Sequence, residues 1–329
     1  MHGVWSAEDT TPAAIESALR RLMQERQAES EDYAFARSLN LIVVVDRDRR
    51  GEIQDRLEAI ARDHPTRTVL CAVEPGRTAL GALATMVCEA SPASGTVAVC
   101  RERVELDVGP GHLPHLATVV RPLLVGDVVT LVWSPHGHPE AVDAFMALAE
   151  AVLLDSLDEP DVELALARVA GLAERIRVVD LSWLRSGPWR QRISATFDPP
   201  AWRPALGEIT AVTVRHRGDS VESALLLAGW LASRLAWEPG GLVSRDGTLR
   251  SRAYGSAGEI DLALEAVPGL AAPGLAGVTL ATASGLSVSL DRGRGGLATV
   301  RQTPDGRTTA WTVLGASRGE GGILAEGVR

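Results

Sequence analysis

Lysine is missing from this 329-residue chain; all 33 of its strongly basic residues are arginine. The absence excludes a Walker-type phosphate loop, a Schiff-base nucleophile and a lysine general base. Long apolar runs are missing too. The longest, "ALLLAGWLA" at 224–232, falls far short of the roughly 20 residues that cross a bilayer, so no membrane partner is expected. The opening "MHGVWSAEDTTP" has neither the basic nor the apolar region of a secretory signal, and a cytoplasmic location is the expectation. Cysteine is scarce. Cys71, Cys88 and Cys100 form no CxxC pair and no even set, which predicts reduced structural thiols rather than a disulfide framework. Positive charge is outnumbered by 42 Asp and Glu, and a formal net charge of -9 argues against nucleic-acid binding.

What is present reads as an α/β protein of two units, 1–160 and 161–329, since one core rarely serves so long a chain. Thr11 or Thr10 as cap, Pro12 at the first turn and the spacing Ile15, Leu19, Leu22, Met23 predict an opening amphipathic helix. "LNLIVVVD" (39–46) is a continuous β-branched run of the kind buried in a parallel sheet. A helix over "GEIQDRLEAIARDH" and a strand over "TRTVLCAV" complete a β-α-β unit. "TVAVCRERVELDV" (96–108) alternates like an antiparallel strand, so the sheet is read as mixed, largely parallel. Further on, "VVTLVWSP" reads as strand and "PEAVDAFMALAEAVLL" as one helix, before acidic residues around Pro160 mark the expected boundary.

The second unit repeats the alternation: helix "VELALARVAGLAERI", strand "RVVDLSWL", helix "PWRQRISATF", strand "EITAVTVRH" and a helix over 221–237. After Trp237 the composition changes. Eighteen of the 32 glycines lie in 238–329, among short alternating runs that predict an antiparallel β-meander and a floppy terminal "GEGGILAEGVR".

Several motifs match on paper and fail in context. "GRGGLA" (293–298) fits GxGxxA but lies between two strand-like runs, which makes it a hairpin loop. "GASRG" (315–319) fits the nucleophile elbow, yet no histidine follows Ser317 to serve as base, and the glycine-rich tail is not expected to form the required helix. His112, His115, His136 and His138 have zinc-like spacings with Cys88 or Cys100, but they read better as loop residues. If those loops share one edge of the sheet they line a crevice, and His64, Arg67, His136 and His138 are the candidate anion or ligand loop. No metal and no cofactor is assigned.

The densest chemistry is "DLSWLRSGPWRQRISATFD" (180–198), which puts two of the eight tryptophans and three arginines together in a chain only 4% aromatic. Trp189, Ile193 and Phe197 share one helix face. Either the aromatics are core with arginine stems over their edges, or Trp183, Arg185, Trp189, Arg190 and Arg192, with Arg234, make a protein-binding patch near the boundary. A third reading has Arg185, Arg190 and Arg192 clamping a phosphate.

In order along the chain, "RSLNLIVV", "HPTRTVL", "VVRPLLVGDVVTLVWSP", "DLSWLRSGPWRQRISATFD" and "ALLLAGWLASRLAW" resemble the OpcA-type glucose-6-phosphate dehydrogenase assembly proteins. The resemblance covers about residues 35–240 and extends more weakly into the β-rich tail. It implies a noncatalytic cytoplasmic protein that binds glucose-6-phosphate dehydrogenase, acts as an allosteric activator by promoting its active oligomer, and so supports NADPH supply through the oxidative pentose phosphate pathway. The alternative from another class is a sugar-phosphate- or nucleotide-binding protein or enzyme, with arginines or the "SPHGHPE" loop at the anion.

Overall fold

The computed structural model describes residues 2–29, 33–34, 37–90, 98–256, 258–314 and 319–328. It divides into two compact units, 1–159 with 167–181 and 320–329, and 160–166 with 182–319. The division is not a single cut near residue 160, because a strand and a terminal helix from later in the chain return to the first unit.

The first unit is a nine-stranded sheet of β1 (His2–Ala7), β2 (Tyr33–Ala34), β3 (Leu39–Asp46), β4 (Thr66–Val73), β5 (Gly81–Ala90), β6 (Ala98–Val108), β7 (Val129–Trp133), β8 (Ala151–Leu154) and β9 (Arg177–Asp180). Its helices are α1 (Pro12–Glu29), α2 (Gln54–Asp63), α3 (Leu116–Val120) and α4 (Pro139–Phe145), and α5 (Val162–Ala173) straddles the division. The main strand order is β1-β5-β6-β4-β3-β7-β8-β9. From β6 to β9 every pairing is parallel, while β5 is antiparallel to both β1 and β6. The β-branched run 39–46 takes the centre: Leu41, Ile42, Val43, Val44 and Val45 are fully buried between β4 and β7. Thr11 caps α1 through its hydroxyl, which accepts from Ala14 N at 3.3 Å, and Ile15, Leu19 and Leu22 pack into the core of this sheet.

The second unit contains α6 (Leu181–Arg185), α7 (Gly187–Phe197) and α8 (Val221–Arg234). Its nine-stranded sheet comprises β10 (Ile209–Arg217), β11 (Glu238–Pro239), β12 (Val243–Arg245), β13 (Thr248–Gly255), β14 (Gly258–Val267), β15 (Leu275–Thr282), β16 (Ser287–Gly293), β17 (Gly296–Gln302) and β18 (Thr308–Leu314). Among the described residues only β10 with β14 pairs parallel; the other pairings, including the run β15-β16-β17-β18, are antiparallel. Residues 293–298 form the hairpin between β16 and β17, where Gly295 takes φ 75°, a conformation favoured by glycine. One core, from Trp189, Ile193 and Phe197 through Leu227 and Leu231 to Val288 and Leu290, binds the helices to one face of the sheet.

Five local readings are corrected. "PEAVDAFMALAEAVLL" is helix only to Phe145; "AVLL" is the fully buried strand β8, whose four apolar residues are too few to show a period. "RVVDLSWL" is strand only to Asp180 and then turns into α6. The helix starting at Val221 stops at Arg234, and Ala236 at φ 54° turns Trp237 into the core. The terminal segment is not floppy: α9 (Gly319–Gly327) forms despite its glycines because Leu324, Ala325 and Val328 are buried in the first unit. Finally, Cys88 and Cys100 are not reduced thiols but a disulfide. They stand directly opposite in the β5–β6 ladder, a pairing that residue counting along the chain does not reveal. Cys71 is free and buried, and burial pushes its thiol up to about 12. Ser317 of the GxSxG match lies outside the described residues.

Candidate functional site

The sequence block 180–198 folds into two successive helices whose turn is held by its own side chains. Ser186 donates through its hydroxyl to Trp183 O at 2.7 Å. Arg190 reaches back one turn and donates from Nε to Ser186 Oγ at 3.0 Å and from Nη2 to Trp183 O at 3.1 Å. Its guanidinium then stacks on the Trp183 indole, 3.4 Å from the ring centroid. Burial, and after it the neighbouring Arg234, pull the Arg190 pKa below the usual arginine range. Arginine nevertheless keeps its proton. Arg190 makes no ion pair among the described residues, so two guanidiniums share one neighbourhood uncompensated beside a half-buried indole.

Trp189 and Arg192 separate from this platform, whereas Arg234 stays beside it. Trp189 is 2% exposed, with Ile193 and Phe197 in the core, and is removed from any contact face. Arg185 bonds Ser182 Oγ at 3.3 Å. Arg192 is half-buried and, two positions after Arg190, projects from the opposite flank of α7. Arg190 and Arg192 therefore do not converge on one phosphate. Arg234, at the end of α8, is exposed.

In the first unit the structure likewise splits the candidate ligand loop. β4 and β7 both run parallel to β3. His64 and Arg67 lie at the amino end of β4, and His136 and His138 follow the carboxyl end of β7. An eight-residue strand separates the two edges by about 25 Å. Arg67 is occupied in any case: Nε donates to Glu102 Oε2 at 2.5 Å and Nη1 to Leu123 O at 2.9 Å. His64 Nε2 is buried without a partner. His138 takes the left-handed φ of 55°, and its Nε2 lies 3.0 Å from Asp46 Oδ1 without the alignment of a hydrogen bond. His112 and His115 follow β6 and so share the carboxyl edge, three strand spacings or about 14 Å from β7. Among the described residues no three His, Cys, Asp or Glu side chains are arranged to hold a metal.

Sequence reading missed the topology of this edge. The parallel strands β6-β4-β3-β7-β8-β9 carry the 3-2-1-4-5-6 order of a doubly wound sheet, with the connection reversing between β3 and β7. That reversal is where such sheets bind dinucleotides, on a glycine-rich turn after the first strand. Here the turn after β3 is "RDRRGEI", a 3-10 helix rich in arginine with no glycine before Gly51. The missing signal was the strand order, which no local motif carries.

Two family models match the chain. The one described as the glucose-6-phosphate dehydrogenase subunit N-terminal domain covers 57–171, and its C-terminal counterpart covers 176–329. The chain belongs to the OpcA family. Among curated relatives, the OxPP cycle protein OpcA of Nostoc punctiforme is 30% identical over 156 residues, 46% of this chain and 34% of that one. The OpcA of Synechococcus elongatus is 29% identical over 202 residues, 60% of this chain and 45% of its own length. The matched stretches thus span less than half of these relatives. Among solved structures, an oxidoreductase domain protein from Kribbella flavida aligns at TM-score 0.46 and 13% identity, covering 89% of this chain and 88% of that one.

In this OpcA chain, His136 supplies a pH test. Burial, then the nearby Arg49, lower its pKa from an ordinary value of 6.5, while Glu52 and Asp46 oppose the shift. As pH falls through 6.5 the unfolded chain binds a proton that the folded chain resists, so the contribution present above 6.5 is lost on acidification. Thermal unfolding followed below pH 6.5 should show a steeper loss for the natural chain than for His136→Gln. Superimposable pH profiles would contradict this.

Proposed function

We propose that this OpcA chain is a noncatalytic assembly factor that binds glucose-6-phosphate dehydrogenase and favours its active oligomer. Family membership supports the partner. The arginine-rich turn in place of a glycine-rich phosphate loop supports the absence of dinucleotide chemistry of its own. The observation that carries the reading is the Arg190–Trp183 platform with Arg234 beside it. A stacked, hydrogen-bonded guanidinium has little rotamer freedom left to lose, and two cations without an internal carboxylate suit an acidic, partly apolar surface on the partner. Tryptophan and arginine are also the residue types that dominate binding energy at protein interfaces. An activator of this kind works only by binding the active oligomer more tightly than the inactive one.

A phosphorylated ligand at the carboxyl edge of the first sheet is less well supported. Arg47 is held by Glu74 and Asp107, Arg50 by Glu105, and Arg77 by Glu74 and Glu8. Their charge is spent within the fold. Arg49 is the exposed arginine of that turn without an ion pair among the described residues.

The test adds purified chain to glucose-6-phosphate dehydrogenase from the same organism and follows activity together with oligomer mass by light scattering. The natural chain should raise both. Arg234→Glu, at an exposed position outside every ion pair among the described residues, should cost no more than about 1 kcal/mol from the last turn of α8 yet need at least about tenfold more protein for the same activation. Unchanged activity and mass with the natural chain would remove the function. Full activation by Arg234→Glu would remove this face alone.

A further inference from the structure

The second sheet ends in a strand built unlike its opposite edge. β18 (Thr308–Leu314) is terminal in the strand order and, among the described residues, pairs only with β17. Alternate residues of a terminal strand direct N–H and C=O outward, and among the described residues no backbone bond from 308–314 leaves the β17 ladder. Such an edge is a template for another strand, which proteins ordinarily block with charge, proline or short length. The far edge of this sheet has those blocks: β11 is two residues long and contains Pro239, and β12 is three residues long and ends in Arg245. β18 has none of them. Its seven residues, TTAWTVL, include no charge, proline or glycine, and four are β-branched. All are exposed except the half-buried Trp311 and Val313, and Leu314 is 75% exposed.

We propose that β18 pairs antiparallel with β18 of a second copy of this chain, joining two nine-stranded sheets into one across a twofold axis at Trp311. A twofold pairing sets Trp311 against itself, Ala310 against Thr312, Thr309 against Val313 and Thr308 against Leu314. Any charge in the strand would be placed within reach of its own copy, and like charges across a ladder are unfavourable. A wholly uncharged strand is therefore suited to itself, whereas a partner of opposite charge would call for charge here. The small row Val300–Ala310 continues through Thr312 and Ala298 of the second copy, and the exposed Leu314 gains a neighbour. Trp311 is held for this by Arg301, whose guanidinium lies 5.2 Å from its ring centroid and 4.4 Å from that of Trp202. The pairing is separate from the Trp183 platform, so either proposal can fail without the other.

Sedimentation velocity of the purified chain over a dilution series should show a monomer–dimer equilibrium. Because each copy carries a formal charge of -9, the dimer should tighten as salt is raised. Hydrogen exchange on the natural protein should show β18 amides protected at high concentration and exchanging on dilution. Ala310→Lys with Thr312→Lys puts four like charges across the axis and should weaken the dimer at least tenfold. An equimolar mixture with Ala310→Glu/Thr312→Glu should restore it as a mixed dimer. A natural chain that is monomeric at its highest soluble concentration, or β18 amides indifferent to concentration, would overturn the proposal. So would a monomeric natural chain whose lysine variant fails only to act on the dehydrogenase, which would give the edge to that partner.

Discussion

Trp189→Ala is expected to destabilise the second unit by about 3–5 kcal/mol, the usual cost of emptying a large aromatic site in a core. The side chain is 2% exposed and belongs to one cluster with Ile193, Phe197, Leu227, Leu231, Val288 and Leu290. Its loss leaves an indole-sized void between α7 and the sheet, and helices held from both sides cannot fully collapse into it. For a unit of this size the melting point should drop by roughly 10 °C or more. Trp183→Ala is the internal comparison. That ring is half-exposed, and its removal forfeits the stack with Arg190, worth only about 0.5–1 kcal/mol at such a site. Urea unfolding of both variants would separate two tryptophans six residues apart into a core residue and a platform residue. Equal losses would mean that Trp189 is not the core residue described here.

That contrast also shows what was legible in the sequence. The i, i+4, i+8 spacing of Trp189, Ile193 and Phe197 fixed which face of α7 is buried, because helical periodicity is local. "LNLIVVVD" announced its central place by length and β-branching, and the hairpins of the second sheet by glycine and alternation. "AVLL" announced nothing, since four apolar residues fit a buried strand or the end of a helix equally. The terminal helix α9 was invisible for a related reason: propensity disfavours its glycines, and it is burial of Leu324 and Val328 that decides. Cys88 opposite Cys100, and His64 about a strand's length from His136, are facts of register and strand direction. Composition found the tryptophan and arginine concentration, but only the fold shows that Arg190 clamps Trp183 while Arg192 points from the other flank.

Glu102→Ala should be comparably severe in the first unit, at about 3–5 kcal/mol, for an electrostatic reason. Glu102 lies on β6 directly beside Arg67 of β4 and is 3% exposed. Both oxygens are used: Oε2 accepts from Arg67 Nε at 2.5 Å, and Oε1 from Arg37 Nε at 3.1 Å. The Arg67 and Arg37 side chains are only 13% and 22% exposed, so removing the carboxylate leaves two partly desolvated guanidiniums facing each other. That residual charge, more than the lost hydrogen bonds, sets the penalty. Glu102→Gln keeps shape and acceptor but not the charge and should fall between the natural chain and Glu102→Ala. Replacing all three together, Arg37→Met, Arg67→Met and Glu102→Leu, removes the orphaned charges along with their partner and should recover most of the loss. Thermal unfolding of the three variants decides the matter. A triple variant as unstable as Glu102→Ala would show that the ion cluster itself, and not the stranding of its cations, supports this sheet.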